Sequence, residues 1–222
     1  MQRYNNPCKH EMKCENGVIT ELFINGLRAN FSRNSVRKYF FNVSNLTLWH
    51  LPYPTSLANV TDLTIRNPQS AMPGTYQTLK RLTLECNESA PSSISIYDSV
   101  ISPNLTQLEY LNVRSVGRIN YILRPDFLYR CGMLHGSIPS TLSRLTHVEI
   151  AEFNAMQDQI PSTMSQLTHF KVPNNLLSGS IPATLTQLKY LDVQKNQLTG
   201  TIPSTLTQLE FINVSYNALS GD

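Results

Sequence analysis

The side chains best suited to chemistry in this sequence are rings and polar groups that recur at fixed places in a repeated segment. Tyr, His or Phe stands at one position of each late repeat, and Asn, Glu, Lys or Asp stands two positions later. Residues two apart in a strand face the same side, so stacked repeats would align them in two rows. Rings beside mixed charges suit recognition of a protein or a sugar. We therefore predict a ligand-binding strip made of Tyr110, His147, Glu149, His169, Lys171, Tyr190, Asp192 and Phe211.

The sequence contains none of the common catalytic motifs. It has no G-x-S-x-G, no H-E-x-x-H and no P-loop, and its five histidines have no Ser or Cys partner at a suggestive spacing. His147 and His169 could share a metal, but no Cys or carboxylate cluster completes such a site. We predict a protein that is not an enzyme and that holds neither a metal nor a cofactor.

A repeated segment of about twenty residues positions these side chains. Ile181–Gly200 returns almost unchanged as Ile202–Gly221, and a more distant copy occupies Ile160–Gly179. The Ile-Pro pairs begin at positions 138, 160, 181 and 202, so their spacings are 22, 21 and 21 residues. A fixed period of roughly 20–29 residues with the pattern L-x-x-L-x-L-x-x-N-x-L indicates a leucine-rich repeat solenoid.

Each fixed position of the repeat has a physical explanation. Leu191 and Val193 alternate with polar Asp192, which predicts a strand with one buried face that must stack on its neighbours. A buried Asn at the end of the strand can bond the backbone of the bend through both its oxygen and its amide protons. A following Gly suits a backbone with positive φ. These positions are Asn175, Asn196 and Asn217, and Gly179, Gly200 and Gly221.

The strand motif begins nine times along the chain. Its first residues are Ile19, Val43, Val60, Leu79, Leu108, Leu145, Leu167, Leu188 and Leu209. We predict an α/β repeat solenoid of about nine irregular turns, with a parallel β-sheet on the concave face and loops and short helical turns on the convex side. Residues 1–18 would form an N-terminal cap and residues 19–222 the solenoid, which is irregular over 19–144 and regular over 145–222.

The irregular half leaves several alternatives open. The gap between the motifs at Leu108 and Leu145 is 37 residues. Residues 114–136 therefore form either a binding loop or a degenerate extra turn. A further strand is possible at Ile94 and Ile96, and Cys86 and Cys131 have no obvious partners.

Composition limits the function classes. Charged residues make up 15% of the chain and the net charge is +3, so nothing favours nucleic acid as a partner. No apolar run approaches the roughly 18 residues of a membrane span. N-glycosylation motifs exceed the number expected by chance, which favours a secreted or cell-surface protein. The predicted acceptors are Asn30, Asn42, Asn45, Asn59, Asn87, Asn104 and Asn213.

Residues 138–222 resemble plant-type leucine-rich repeats, with the pattern L-x-x-N-x-L-x-G-x-I-P. The last repeat is similar to those of plant receptor ectodomains and polygalacturonase inhibitors, although the turns here are shorter. The resemblance implies extracellular recognition of a protein, peptide or glycan. The pattern C-x5-C-x-x-G-x-I-x-x-L-x-I resembles the N-terminal cap of the same family and implies a Cys8–Cys14 disulfide.

Four further expectations compete with this interpretation or add to it. The protein could inhibit a secreted polysaccharide-degrading enzyme. It could bind ice through in-register Thr-x-Thr columns such as those at Thr184 and Thr205, provided that these segments are extended. Repeats copied from one another could also share surface residues without any function. Because no cap follows the last repeat, we expect a continuation of the chain or a partner at that end.

Overall fold

The structure is a computed structural model, which describes residues 12–15, 18–25, 45–49, 60–66, 76–87, 101–116, 135–150 and 155–221. Fifteen short strands lie in these residues. They are β1 (Met12–Glu15), β2 (Val18–Asn25), β3 (Asn45–Trp49), β4 (Asp62–Arg66), β5 (Arg81–Asn87), β6 (Tyr110–Val116), β7 (His135–Gly136), β8 (His147–Ile150), β9 (Ala155–Met156), β10 (His169–Lys171), β11 (Ser178–Gly179), β12 (Tyr190–Asp192), β13 (Gln197–Gly200), β14 (Phe211–Asn213) and β15 (Ala218–Leu219).

Ten of these strands form one large sheet, in the order β1-β2-β3-β4-β5-β6-β8-β10-β12-β14. The nine strands from β2 to β14 are parallel, and each comes from one of the nine predicted motifs. This confirms the predicted solenoid with its parallel sheet. The strand β1 adds an antiparallel neighbour to β2, which the sequence analysis did not predict.

The apolar positions of successive strands stack in register beneath this sheet. Leu111, Val148, Phe170 and Leu191 follow one another on β6, β8, β10 and β12, and all are fully buried. The alternating residues of β8, such as His147, remain half-buried on the other face. One strand buries few side chains alone, so the core exists only because adjacent coils cover each other.

On the way from one large-sheet strand to the next, the chain makes two successive tight turns. The N–H of Leu185 donates to the carbonyl of Pro182 at 3.3 Å, and the N–H of Leu188 donates to that of Leu185 at 3.0 Å. The same pair of i→i+3 bonds recurs in the coils at 139–145, 161–167 and 203–209. In these described coils, the predicted short helical turns are therefore pairs of single turns. Each pair packs two apolar side chains against the core, as Leu185 and Leu188 show.

Short parallel strands form a second set of contacts, with β7 beside β9 and β11-β13-β15 in one small sheet. Glycines with positive φ lie here, as predicted, at Gly179 (φ 74°) and Gly200 (φ 80°). A Cβ on Gly179 would approach the Cγ of Gln159 to 2.7 Å, so this position excludes a side chain for two reasons. Asp158 occupies the equivalent place one coil earlier with φ 67°.

An asparagine connects each late coil to the one before it. Asn196 accepts a bond from the N–H of Leu177 at 2.9 Å and donates to the carbonyls of Val172 and Val193 at 2.8 and 3.0 Å. Asn217 repeats this arrangement one coil later, through Leu198 and Val193. The prediction that these asparagines bond the backbone of the bend is confirmed, and the structure adds that half of the partners of Asn196 and Asn217 lie in the preceding coil.

Several predictions fall on residues outside the described ranges. Cys14 lies in β1, but Cys8 lies outside, so the Cys8–Cys14 disulfide and the cap over residues 1–18 stay predictions. Cys86 lies in β5 and Cys131 lies outside the described residues. The same applies to Ile94, Ile96 and most of residues 114–136, whose described parts are the end of β6 and the strand β7.

We predict that Asn196→Ala lowers the free energy of unfolding by about 3 kcal/mol, because it leaves the Leu177 N–H and a buried carbonyl without partners. Urea denaturation measures this loss. Asn217→Ala is the matched control and should cost less, since Asn217 is only half-buried and water can reach its partners. Equal losses for the two variants would contradict the explanation.

The residue before each asparagine provides a second stability test. Asn174, Lys195 and Tyr216 have φ of 51°, 53° and 55°, a conformation that favours Gly and Asn. We expect Lys195→Asn to raise the free energy of unfolding by about 0.5–1 kcal/mol and the reverse change, Asn174→Lys, to lower it by a similar amount. Thermal unfolding of both variants checks the opposite signs, and a shift in the same direction would disprove the argument.

Candidate functional site

The predicted rings form one continuous stack across the strand face. Tyr110, His147, His169, Tyr190 and Phe211 are in register on β6, β8, β10, β12 and β14. Their ring centroids are 4.4, 4.1, 4.4 and 4.3 Å apart in that order, with interplanar angles between 7° and 15°. The structure thus brings together all five rings that the sequence analysis assigned to the strip.

The stack determines which parts of the rings a ligand can reach. Each inner ring is covered on both faces by its neighbours, and the guanidinium of Arg81 lies 3.9 Å from the Tyr110 ring centroid at one end. At the other end, no ring in the described residues covers the second face of Phe211, which is 42% exposed. The inner rings therefore offer only their electropositive edges, whereas Phe211 also offers a face.

A row of polar side chains runs beside the rings. Asn112 donates through Nδ2 to the Tyr110 hydroxyl at 3.1 Å and to Oε2 of Glu149 at 3.3 Å. Lys171 donates through Nζ to Oε1 of Glu149 at 2.9 Å. The row continues in register with Asp192 and Asn213. All eight predicted site residues lie on this surface, five as part of the stack and three in the row.

The charges in the row stabilise each other. Burial raises the pKa of Glu149, but the hydrogen bond and the positive charge of Lys171 outweigh this effect, so the net pKa is lowered. The hydrogen bond to Glu149 raises the pKa of Lys171. Both groups are therefore charged at neutral pH, and they form one internal ion pair rather than two free charges.

The two histidines are neutral rings within the stack. Burial lowers the pKa of His147 to about 4, with a further contribution from His169. Burial also lowers the pKa of His169. The Nε2 atom of His147 is buried and has no hydrogen-bond partner. Within the described residues, no group of three or more His, Cys, Asp or Glu side chains is arranged to hold a metal.

The strip extends further towards the N-terminus than the sequence analysis predicted. Arg81 on β5 occupies the ring position and pairs with Asp62 on β4 at 3.3 Å. Glu85 on β5 accepts hydrogen bonds from the guanidinium of Arg114 on β6. The motifs at Val60 and Leu79 contain these positions, so counting outward residues in the irregular repeats would have found them.

The threonine columns have a structural role in the described coils. Thr141, Thr163, Thr184 and Thr205 each donate their hydroxyl to a carbonyl of the preceding coil at 2.7 Å. They lie in the tight turns rather than in extended strands. The condition under which the Thr-x-Thr columns would form a flat ice-binding array is therefore not met there.

Two predicted glycosylation acceptors have described side chains. Asn104 is exposed in a turn, whereas Asn213 lies half-buried in β14 with its Oδ1 accepting from the Ser215 hydroxyl at 2.8 Å. A glycan on Asn213 would cover part of the strip. The side chains of Asn30, Asn42, Asn45, Asn59 and Asn87 lie outside the described part of the chain. Glycosylation at all seven positions stays a prediction.

Comparison with known proteins confirms the resemblance to plant-type leucine-rich repeat proteins. The leucine-rich repeat family model matches residues 187–209. The fold is similar to the leucine-rich repeat ectodomain of the Arabidopsis thaliana receptor kinase GASSHO1/SCHENGEN3, with a TM-score of 0.62 and 24% identity over 97% of this chain and 26% of that one. No curated protein matches the sequence.

Two other solved structures share the fold. The plant peptide hormone receptor RGFR1 has a TM-score of 0.54 and 23% identity over 90% of this chain and 36% of its own. A plant ice-binding protein has a TM-score of 0.51 and 19% identity over 95% of this chain and 77% of its own. This chain therefore spans 26% and 36% of the two receptor chains. No helix in its described residues is long and apolar enough to cross a membrane.

The low pKa of His147 predicts a specific pH dependence of stability. The unfolded chain takes up the imidazole proton near pH 6.5 and the folded chain only near pH 4, so stability falls as the pH drops between these values. Because His147 is only half-buried, we expect its contribution to be on the order of 1–2 kcal/mol. Urea denaturation at pH 7.5 and 4.5 measures the loss, which should be smaller in His147→Phe. An identical loss in wild type and variant would contradict the assignment.

Proposed function

We propose that this chain is an extracellular or cell-surface recognition module that binds a protein or peptide ligand on its strand face. The observation that carries the proposal is the ring stack from Tyr110 to Phe211, presented on a parallel sheet whose core is tightly stacked. Rings and polar side chains on a rigid scaffold form a preorganised surface, which reduces the entropy lost on binding.

The geometry of the stack favours a protein or peptide over a glycan. Flat sugar rings would need exposed aromatic faces, but the faces of His147, His169 and Tyr190 are covered by one another. Their edges carry partial positive charge and complement acceptors such as peptide carbonyls.

The comparisons give this proposal support by analogy. The GASSHO1/SCHENGEN3 ectodomain is described in complex with CASPARIAN STRIP INTEGRITY FACTOR 2, and RGFR1 as a peptide hormone receptor in complex with RGF2. The seven glycosylation motifs favour the same extracellular setting. Inhibition of a secreted polysaccharide-degrading enzyme is a special case of protein recognition by this face, and we keep it as the alternative.

Binding by the strand face can be tested with two panels of probes, a random-peptide display library and a glycan array. We expect the protein to select peptides from the library, and we expect Tyr190→Ala combined with Phe211→Ala to abolish their binding while the circular dichroism spectrum stays unchanged. The double variant removes the end of the stack that a ligand can reach on a face as well as an edge.

Thr186→Ala combined with Thr207→Ala is the matched control. It changes two exposed residues of the same coils that lie in the tight turns, away from the strand face. Peptide binding that survives the ring substitutions but fails in this control would move the site to the other side of the solenoid. Selection of glycans instead of peptides would disprove the preference for a protein ligand.

A further inference from the structure

Within the described residues, the charged groups of the strand face are paired with one another, with one exception. Arg81 pairs with Asp62, Arg114 with Glu85, and Lys171 with Glu149. Paired groups of this kind have little left to offer a ligand, because a new partner would first have to break an existing bond. The charges of the face from β4 to β10 therefore mostly hold the surface in shape.

Asp192 on β12 is the exception. Asp192 is 7% exposed, and no Lys, Arg or His nitrogen in the described residues lies within 4.0 Å of its carboxylate. Its one side-chain hydrogen bond in these residues is long, from the N–H of Gln194 to Oδ1 at 3.4 Å. The nearest cation of the row, Lys171, is hydrogen-bonded to Glu149 at 2.9 Å and interacts with Asp192 only through its charge at longer range.

In the neighbouring coil, the side chain at this position makes its hydrogen bonds within its own coil. Asn213 lies in register with Asp192, and its Oδ1 accepts from both the N–H and the hydroxyl of Ser215. In the coil of Asp192 the equivalent residue is Gln194, which provides only the N–H. The Asp192 carboxylate therefore carries a charge that its own coil does not neutralise, and a largely buried unpaired charge is costly.

The groups around Asp192 are also open. Tyr190, two residues earlier on the same face, has no hydrogen bond from its hydroxyl in the described residues. Phe211, the next ring of the stack, is 42% exposed, and its centroid lies 4.3 Å from that of Tyr190. A carboxylate, a phenol and a phenyl ring are thus adjacent on β12 and β14.

We infer that Asp192 binds a lysine or arginine side chain of the peptide ligand. This inference rests on the proposed function and names the ligand class for the same face. The cation would neutralise the one carboxylate of the row that has no ion-pair partner, which offsets the cost of its burial. The ion pairs from β4 to β10 would remain intact.

The test uses the full chain, secreted into the bacterial periplasm, where disulfides form. We expect no glycan on Asn213 in that host, and an intact-mass measurement verifies this before use. Peptides are selected from the random-display library and sequenced, and we expect enrichment of Lys or Arg. The affinity of one selected peptide is then measured for the wild type, Asp192→Asn and Glu210→Gln.

Asp192→Asn should weaken binding about tenfold or more at low salt, with a smaller effect at high salt. The variant should fold, because Asn already occupies this row at positions 112 and 213. Glu210→Gln should have no effect, since Glu210 pairs with Lys189 away from the ring and polar rows. Replacing the peptide cation by norleucine should cause the same loss in the wild type and no further loss in Asp192→Asn.

The outcomes separate the two levels of the proposal. If the wild type selects no peptide, the proposed function itself fails and the inference fails with it. If peptides bind but lack the basic residue, or bind Asp192→Asn as tightly as wild type, the role of Asp192 is wrong while peptide recognition stands. A loss that does not couple to the peptide cation also overturns the inference, because it would reflect a general change in the surface.

Discussion

The structure depends on the in-register pairing of adjacent coils. Each coil of this chain contributes a strand that cannot bury its apolar face alone, and parallel pairing with the next strand solves that problem. Once the register is set, equivalent residues of neighbouring coils lie beside each other, including those that face solvent. The apolar core, the asparagine bonds between coils and the ring stack all result from this one constraint.

The same constraint explains why the outward side chains mostly contact one another. Rings held one strand apart stack on each other, and a carboxylate beside an ammonium group on the next strand forms an ion pair such as Glu149–Lys171. Two histidines next to each other in such a stack are best accommodated as neutral rings. The groups available to a ligand are therefore the outward side chains that lack a matching neighbour on the adjacent strand.

Much of the fold follows from the sequence because the repeat constrains it strongly. The nine parallel strands, the asparagines of the bends, the positive φ of the glycines and the alignment of the ring positions were all predictable from spacing and residue type. The rows could be predicted because register carries side chains to the same height in every coil. The irregular repeats were harder, since Arg81 and Glu85 lie in motifs without a fixed period.

Other features depend on three-dimensional details that spacing does not contain. The parallel orientation of the rings depends on side-chain rotamers. The role of Thr184 depends on a carbonyl of the previous coil, at Ser162. Asp192 has few side-chain partners because Gln194, rather than a serine, lies two residues later and because Lys171 is already bound to Glu149. No single repeat reveals these relations, because each involves partners in two coils.

In the asparagine and threonine bonds between coils, the side chain always belongs to the later coil. Its amide or hydroxyl group donates to the preceding coil, and the asparagine Oδ1 accepts an N–H from that coil. The contacts of a coil with its predecessor therefore form a complete unit that does not depend on how many coils come before. Duplicating a coil such as 181–201 would add one asparagine with its bonds, one threonine with its bond and one ring while leaving the existing contacts in place. The length of the proposed recognition surface is in this sense a count of repeats, and evolution can change it by unequal copying without redesigning the core.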